Sequence, residues 1–216
     1  MYVHPAFRME HSDALAFLRE RAFGTLVLPA ANAAPVAAHV PFLINERGPD
    51  ALEIELHVAK ANALHTLVGD GCPALLIVQG PDAYISPDWY GVPNQVPTWT
   101  YVAVHVTGRA RLLPPSGHLD HADRLSAQFE ERLLPKTPWT SAKMDTKRRD
   151  AMMNAIVGIG LDVEEIQAQK KLIQHKGDVE HRGAIAGLRA LVDPGSAAIA
   201  ALMEETLAHR KPRDVS

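Results

Sequence analysis

The clearest order in this chain is the strict alternation at residues 52–58, where Leu52, Ile54, Leu56 and Val58 interleave with Glu53, Glu55 and His57. Successive side chains of an extended chain point to opposite faces, so the pattern predicts a half-buried β-strand. A second alternation at 99–112 sets Val102, Val104 and Val106 against Tyr101, His105 and Arg109. Residues 23–28, 35–44 and 73–79 read as three further strands, the last almost wholly apolar. Ahead of them, Leu15, Leu18 and Ala22 recur at helical spacing behind Ser12 or Asp13, either of which can serve as an N-cap.

These strands are joined mainly by short Gly, Pro, Asn and Asp connections rather than by crossover helices. That argues against a doubly wound parallel sheet and for an antiparallel barrel. After Pro114 the period changes: Leu119, Ala122, Phe129 and Leu133 share a helical face, and 144–155 also reads as helix. Residues 156–166 return to strand, while 183–191 and 196–209 read as closing helices, the second behind the break Asp193, Pro194 and Gly195. The expected fold class is therefore mainly β with helices (α+β). One domain spans 1–192 with a helical insertion at about 116–155, followed by a C-terminal helix and tail over 193–216.

Composition narrows the function classes. The 216 residues are 47% apolar and 22% charged, enough to bury a core and far from the signature of disorder. A formal net charge of −3 supplies no global positive field for a polyanion. Cys72 is the single cysteine, which excludes an internal disulfide and a multi-thiolate zinc site. The first twenty residues mix acids with apolar positions and do not read as a signal peptide, and no apolar run approaches the roughly 18 residues of a membrane span. The expectation is a cytoplasmic protein with no membrane partner.

Two segments could carry chemistry. In HVAKANALH, residues 57–65, a strand ends at Lys60 and a short amphipathic helix is predicted to begin near Asn62. Backbone N–H groups at a helix start, with a lysine beside them, suit a phosphate monoester. A solvated lysine at a turn has the same spacing. In residues 79–104, Tyr84, Trp89, Tyr90, Trp99 and Tyr101 accompany Pro81, Pro87, Pro93 and Pro97, with polar atoms from Gln79, Ser86 and Thr98. Such a stiff, ring-rich segment suits a planar heteroaromatic ligand, and equally a barrel end or a dimer seam.

Other chemistry finds less support. His39 and His57 fall on neighbouring strands, and His118 and His121 lie three apart on a helix, but no set of ligands completes a metal site, so solvated or capping histidines are the expectation. No P-loop, Gly-x-Ser-x-Gly or dinucleotide-binding glycine motif is present. Lys143, Lys147, Arg148 and Arg149 form a dense basic cluster interrupted by Asp145, which reads as a solvated face rather than a DNA-reading helix pair.

The blocks MYVHPAF, AAHVPF, HVAKANALH, VQGPDAYISPDWY, VPTWTYVAVHVTGRA and KKLIQHKGDVEHRGAIAGL together resemble the PaiB family, in order and over almost the whole chain. The resemblance implies a split antiparallel β-barrel of the kind shared with pyridoxamine-phosphate oxidases and flavin reductases. It also implies a homodimer with FMN at the subunit interface, and a role as a negative transcriptional regulator. By the same resemblance His39, His57, Lys60, Ala61, Asn62, Gln79, Tyr84, Ser86, Trp89, Trp99, Tyr101, Lys171 and Gln174 are cofactor-binding. Lys60 stands where the family segment has Arg, Thr100 where it has Asn, and Ile173 and His175 replace polar positions of the last block.

The leading expectation is an FMN-binding regulator, with DNA binding implied only by the resemblance. The alternatives are an FMN-dependent oxidoreductase acting on a small molecule or a second flavin, a haem-handling split barrel, and a cofactor-free dimer.

Overall fold

The strands are Phe23–Leu28 (β1), Val36–Gly48 (β2), Ala51–Ala59 (β3), Cys72–Ile85 (β4), Thr98–Leu112 (β5) and Ile156–Lys171 (β6). In the computed structural model, which describes residues 1–48, 51–69 and 71–210, they close into an antiparallel barrel in the order β1-β2-β3-β6-β5-β4. The helices are His11–Arg21 (α1), His118–Glu130 (α2), Thr146–Met153 (α3), Asp178–Arg189 (α4) and Pro194–Ala208 (α5).

The strands and helices stand where the hydrophobic pattern puts them, but several ends differ. β4 runs past Gly80 and Pro81 to Ile85, because Thr100 Oγ1 donates to Ala83 O at 2.9 Å and holds the second half of the strand. β6 continues through the polar run 164–171, which a bridge between Arg8 and Gln169 borders. α1 begins at His11, so Ser12 and Asp13 lie inside its first turn rather than capping it, and Ala14 N–H bonds Glu10 O at 3.0 Å. α4 starts at Asp178, five residues before the expected 183, where Glu180 Oε2 accepts the Gly177 N–H at 2.9 Å and supplies the start signal.

Two compact units divide the chain, and β4, β5 and β6 each contribute residues to both. One comprises Met1–Ala14, Gln79–Val104 and Gln167–Ser216. Its core gathers Ile85, Tyr90, Leu172, Ile173, Leu188 and Met203. α5 contributes to this core through Ile199, Ala200 and Met203, and residues 211–216 of the tail expected over 193–216 lie outside the described residues. Trp89 packs onto α4, where a Cβ built on Gly187 would sit 2.2 Å from the indole Cδ2, and one on Gly183 would sit 1.9 Å from Trp89 O.

The other unit comprises Leu15–Val78 and His105–Ile166, and contains α2 and α3. β3 pairs with β6 from Glu53 opposite Asp162 to Ala59 opposite Ile156. Ile54, Leu56 and Val58 point into the barrel and are buried. Glu53 and Glu55, predicted to be the polar and open face of this strand, are buried as well. Arg47 and Arg111 pair with Glu53, while Asn45 and the α2 residues His121 and Arg124 reach Glu55.

Candidate functional site

Within the first unit, β4, β5 and β6 bring one row of side chains together: Tyr84, then Trp99 and Tyr101, then Gln169, which is buried, and Lys171. Tyr84 and Trp99 meet edge to face with ring centroids 6.0 Å apart, and remain 45% and 55% exposed. Rings this open are surfaces for a partner or a ligand rather than core. The Tyr101 hydroxyl accepts from Gln169 Nε2 at 2.5 Å, and the Lys171 ammonium stands 5.8 Å from the Tyr101 ring centroid. Gln169 is a member of this row that the sequence alone did not single out. Its signal was the alternation Gln167, Gln169, Lys171, which reads as strand only if β6 is known to continue.

The remaining expected residues of this unit are engaged by the chain itself. Gln79 Nε2 reaches Asp82 at 3.4 Å, and the Ser86 hydroxyl accepts the Asp88 N–H at 3.3 Å, capping a 3-10 turn at Pro87–Tyr90. Trp89 lies against α4 as described. The Gln174 side chain folds back on its own strand end, its Oε1 accepting the Leu172 N–H at 2.8 Å and its Nε2 donating to Lys170 O. Ile173 between them is buried with φ 55°, a left-handed conformation that a β-branched residue rarely adopts.

In the second unit, His39 Nδ1 lies 2.9 Å from Thr25 Oγ1, and its ring stacks on Phe23 at a centroid distance of 6.5 Å. The helix predicted near Asn62 is a five-residue 3-10 turn, Ala63–Leu67. Asn62 caps it, with Oδ1 accepting the Leu64 N–H at 3.0 Å, so that N–H is already satisfied. Lys60 and Ala61 are exposed, and the Lys60 N–H donates to Ala155 O at 2.7 Å. Among the described residues no carboxylate pairs with the Lys60 ammonium, which leaves this cation available to an anion.

His57 leads into a buried polar cluster. His57 Nδ1 and His121 Nε2 are 2.9 Å apart, and His121 Nδ1 stands 3.1 Å from Glu55 Oε1. Glu55 Oε2 accepts from Asn45 Nδ2 at 2.6 Å and Arg124 Nη2 at 2.7 Å. Burial raises the Glu55 pKa, but the bonds from Arg124 and Asn45 outweigh it and hold the carboxyl below its ordinary value. Burial, reinforced by His57, lowers His121 to about 4, and burial with the nearby His118 lowers His57. Both rings are therefore neutral at pH 7.

His118 and His121, expected to be solvated or capping, are buried. His118 Nε2 accepts the Gly158 N–H at 3.1 Å, and its Nδ1 faces Met153 O at 3.3 Å. Their i, i+3 spacing reported a helix face, but nothing local showed that β3 lies against it. A cavity of about 290 Å³ adjoins the cluster, lined by Arg47, Glu55, His118, His121 and Arg124 among others. Among the described residues no group of three His, Cys, Asp or Glu side chains could hold a metal ion.

Residues 1–165 match the family described as "Putative FMN-binding domain". This chain belongs to that family. It is 31% identical over 209 residues to the Bacillus subtilis protein named protease synthase and sporulation protein PAI 2, covering 96% of this chain and 98% of the relative. Among solved structures, it is similar to the flavocytochrome Anf3 of Azotobacter vinelandii, with a TM-score of 0.55 at 15% identity over 91% of this chain and 78% of the other. A FAD and haem binding protein of Mycobacterium smegmatis aligns with a TM-score of 0.51 at 15% identity over 75% of this chain and 71% of the other. At such identities these structures bear on the fold alone.

FMN is the cofactor of the family, and this chain's residues fit it. The open rings of Tyr84 and Trp99 match a planar heteroaromatic group, and the unpaired ammonium of Lys60 matches a phosphate monoester. No helix among the described residues is long and apolar enough to cross a membrane.

Proposed function

We propose that this protein is a homodimeric FMN-binding regulator, with Lys60 and the Asn62-capped turn as the phosphate-binding candidate of one unit and Tyr84, Trp99 and Tyr101 as the ring-binding candidate of the other, each read by itself. The observation that carries the reading is the open Tyr84 and Trp99 pair on the outer barrel face, together with membership of the FMN-binding family. Two large aromatics half exposed side by side call for a cover, and a flavin with a second subunit supplies it. The regulatory role is what the resemblance to the PaiB family implies. Bound FMN supplies a two-electron redox centre, which the chain's own residues need only bind and orient.

Trp89, Ser86 and Gln174 are assigned supporting roles instead. Each is committed to the chain's own packing or backbone.

The reading is tested by the visible spectrum of the purified protein, FMN titration of the apo form, and sedimentation of both. A yellow dimer whose FMN affinity falls at least tenfold in Lys60→Ala and Trp99→Ala is expected. A monomer that leaves the flavin spectrum unchanged at millimolar FMN would refute it. DNA contact is not part of the proposal: α3, which carries Lys147, Arg148 and Arg149, buries no residue against an inner neighbour as a recognition helix must.

A further inference from the structure

The polar cluster of the second unit has an order that its charges alone do not explain. Glu55 is held as a carboxylate and can only accept. His121, neutral and fully enclosed, carries one ring proton, and its Nδ1 lies 3.1 Å from a Glu55 oxygen without an aligned hydrogen bond. A lone pair on Nδ1 would face that carboxylate and be repelled, so the proton sits on Nδ1 and His121 Nε2 is an acceptor. The group 2.9 Å from that acceptor is His57 Nδ1, which must therefore donate. A neutral His57 with its proton on Nδ1 has a lone pair on Nε2, and no described group bonds to that nitrogen.

We propose that Glu55, His121 and His57 form a proton relay, with its open end at His57 Nε2 and its other end at the wall of the 290 Å³ cavity that Glu55 and His121 line. The protons balance along it. An acidic proton arriving on His57 Nε2 is matched by transfer of the His57 Nδ1 proton to His121 Nε2, and of the His121 Nδ1 proton to Glu55 or to water in the cavity. Each nitrogen gains one proton or gives one, and no oxidant or reductant is involved. The substrate class is a weak acid that ionises near neutrality, a phosphate monoester.

The inference rests on the reading that segment 57–62 belongs to the FMN site. The titratable and charged groups facing the two rings are Glu55 from β3 and Arg124 and His118 from α2; Arg124 is already paired with Glu55 and Asp120.

The test is two-bond ¹H–¹⁵N correlation on the full chain labelled at histidine, with His57→Gln and His121→Gln used only to assign signals. At pH 7 both rings are expected to be neutral with the proton on Nδ1. In Glu55→Gln, whose amide can donate as well as accept, the Nδ1-protonated fraction of both rings is expected to fall together. Either ring protonated on Nε2 in the parent, or His57 unmoved while His121 changes, overturns the relay. Should Glu55→Gln fail to fold, the parent tautomers alone decide. FMN added to the same sample is expected to shift the His57 ring nitrogens. FMN that binds without shifting them overturns the relay but leaves the cofactor reading intact, whereas FMN that does not bind overturns the cofactor reading and with it the use of the relay.

Discussion

Gly187→Ala on α4 should destabilise the protein although it replaces a poor helix former with the best. The new Cβ would lie 2.2 Å from Trp89 Cδ2 and 2.6 Å from Cγ and Cε2. Against an ordinary contact of 3.4 Å, that is an overlap of 1.2 Å with the indole. Overpacking costs about 1–3 kcal/mol, and an overlap of this depth into a rigid ring belongs near the upper end. The helix-propensity gain of about 1 kcal/mol offsets part of it, leaving a net loss of about 2 kcal/mol. In a Trp89→Ala background the obstruction is gone and the same substitution should stabilise by about 1 kcal/mol, a coupling of about 3 kcal/mol. Gly183→Ala provides the contrast. Its Cβ would meet Trp89 O at 1.9 Å, a backbone atom that the background change does not remove, so it should stay destabilising there. Urea unfolding of the parent, the three single variants and the two double variants at constant m-value measures all of this. A Gly187→Ala protein as stable as its parent would show that the indole does not rest on this helix face, and would refute the packing argument.

Acid should weaken the fold below neutrality. Burial, reinforced by Arg210, lowers His181 to about 4, and burial with His57 does the same to His121. Both are bases depressed in the native state, so their stabilising contribution is complete above pH 6.5 and is lost as pH falls from there to about 4. Allowing for partial screening, each should remove about 2 kcal/mol across that window in urea titrations at stepped pH. Stability flat between pH 7 and 4 would contradict the burial of these rings. Lys60→Arg should tighten FMN about three- to tenfold, since a guanidinium can grip a phosphate with two bonds where an ammonium acts as a point charge. Unchanged affinity in a fluorescence titration would place the phosphate elsewhere.

Periodicity made the barrel legible. The alternations at 52–58 and 99–112 are local properties of an extended chain, and each predicts a strand wherever its partners stand. What alternation cannot report is how the polar face is used. Glu53 and Glu55 read as the polar face of a half-buried strand, and are buried because Arg47, Arg111 and the helix bearing His121 and Arg124 cover that face. Strand ends at Ile85 and Lys171 were missed for a related reason: Gly80, Pro81 and the polar run 164–171 are breaking signals that neighbouring strands override.

The candidate site divides along the same line. Residue type and order were enough to single out the ring-rich segment, Lys60 and the block around His57, and to indicate a flavin family. Only the folded chain separated the open rings of Tyr84 and Trp99 from Trp89, which α4 receives at two glycines, and from Gln174, which its own backbone consumes. It also joined Glu55 and His57 to His121, more than sixty residues away in sequence. A sequence specifies which groups can donate, accept or stack. Which of them are left over to do so is decided when distant elements compete for them.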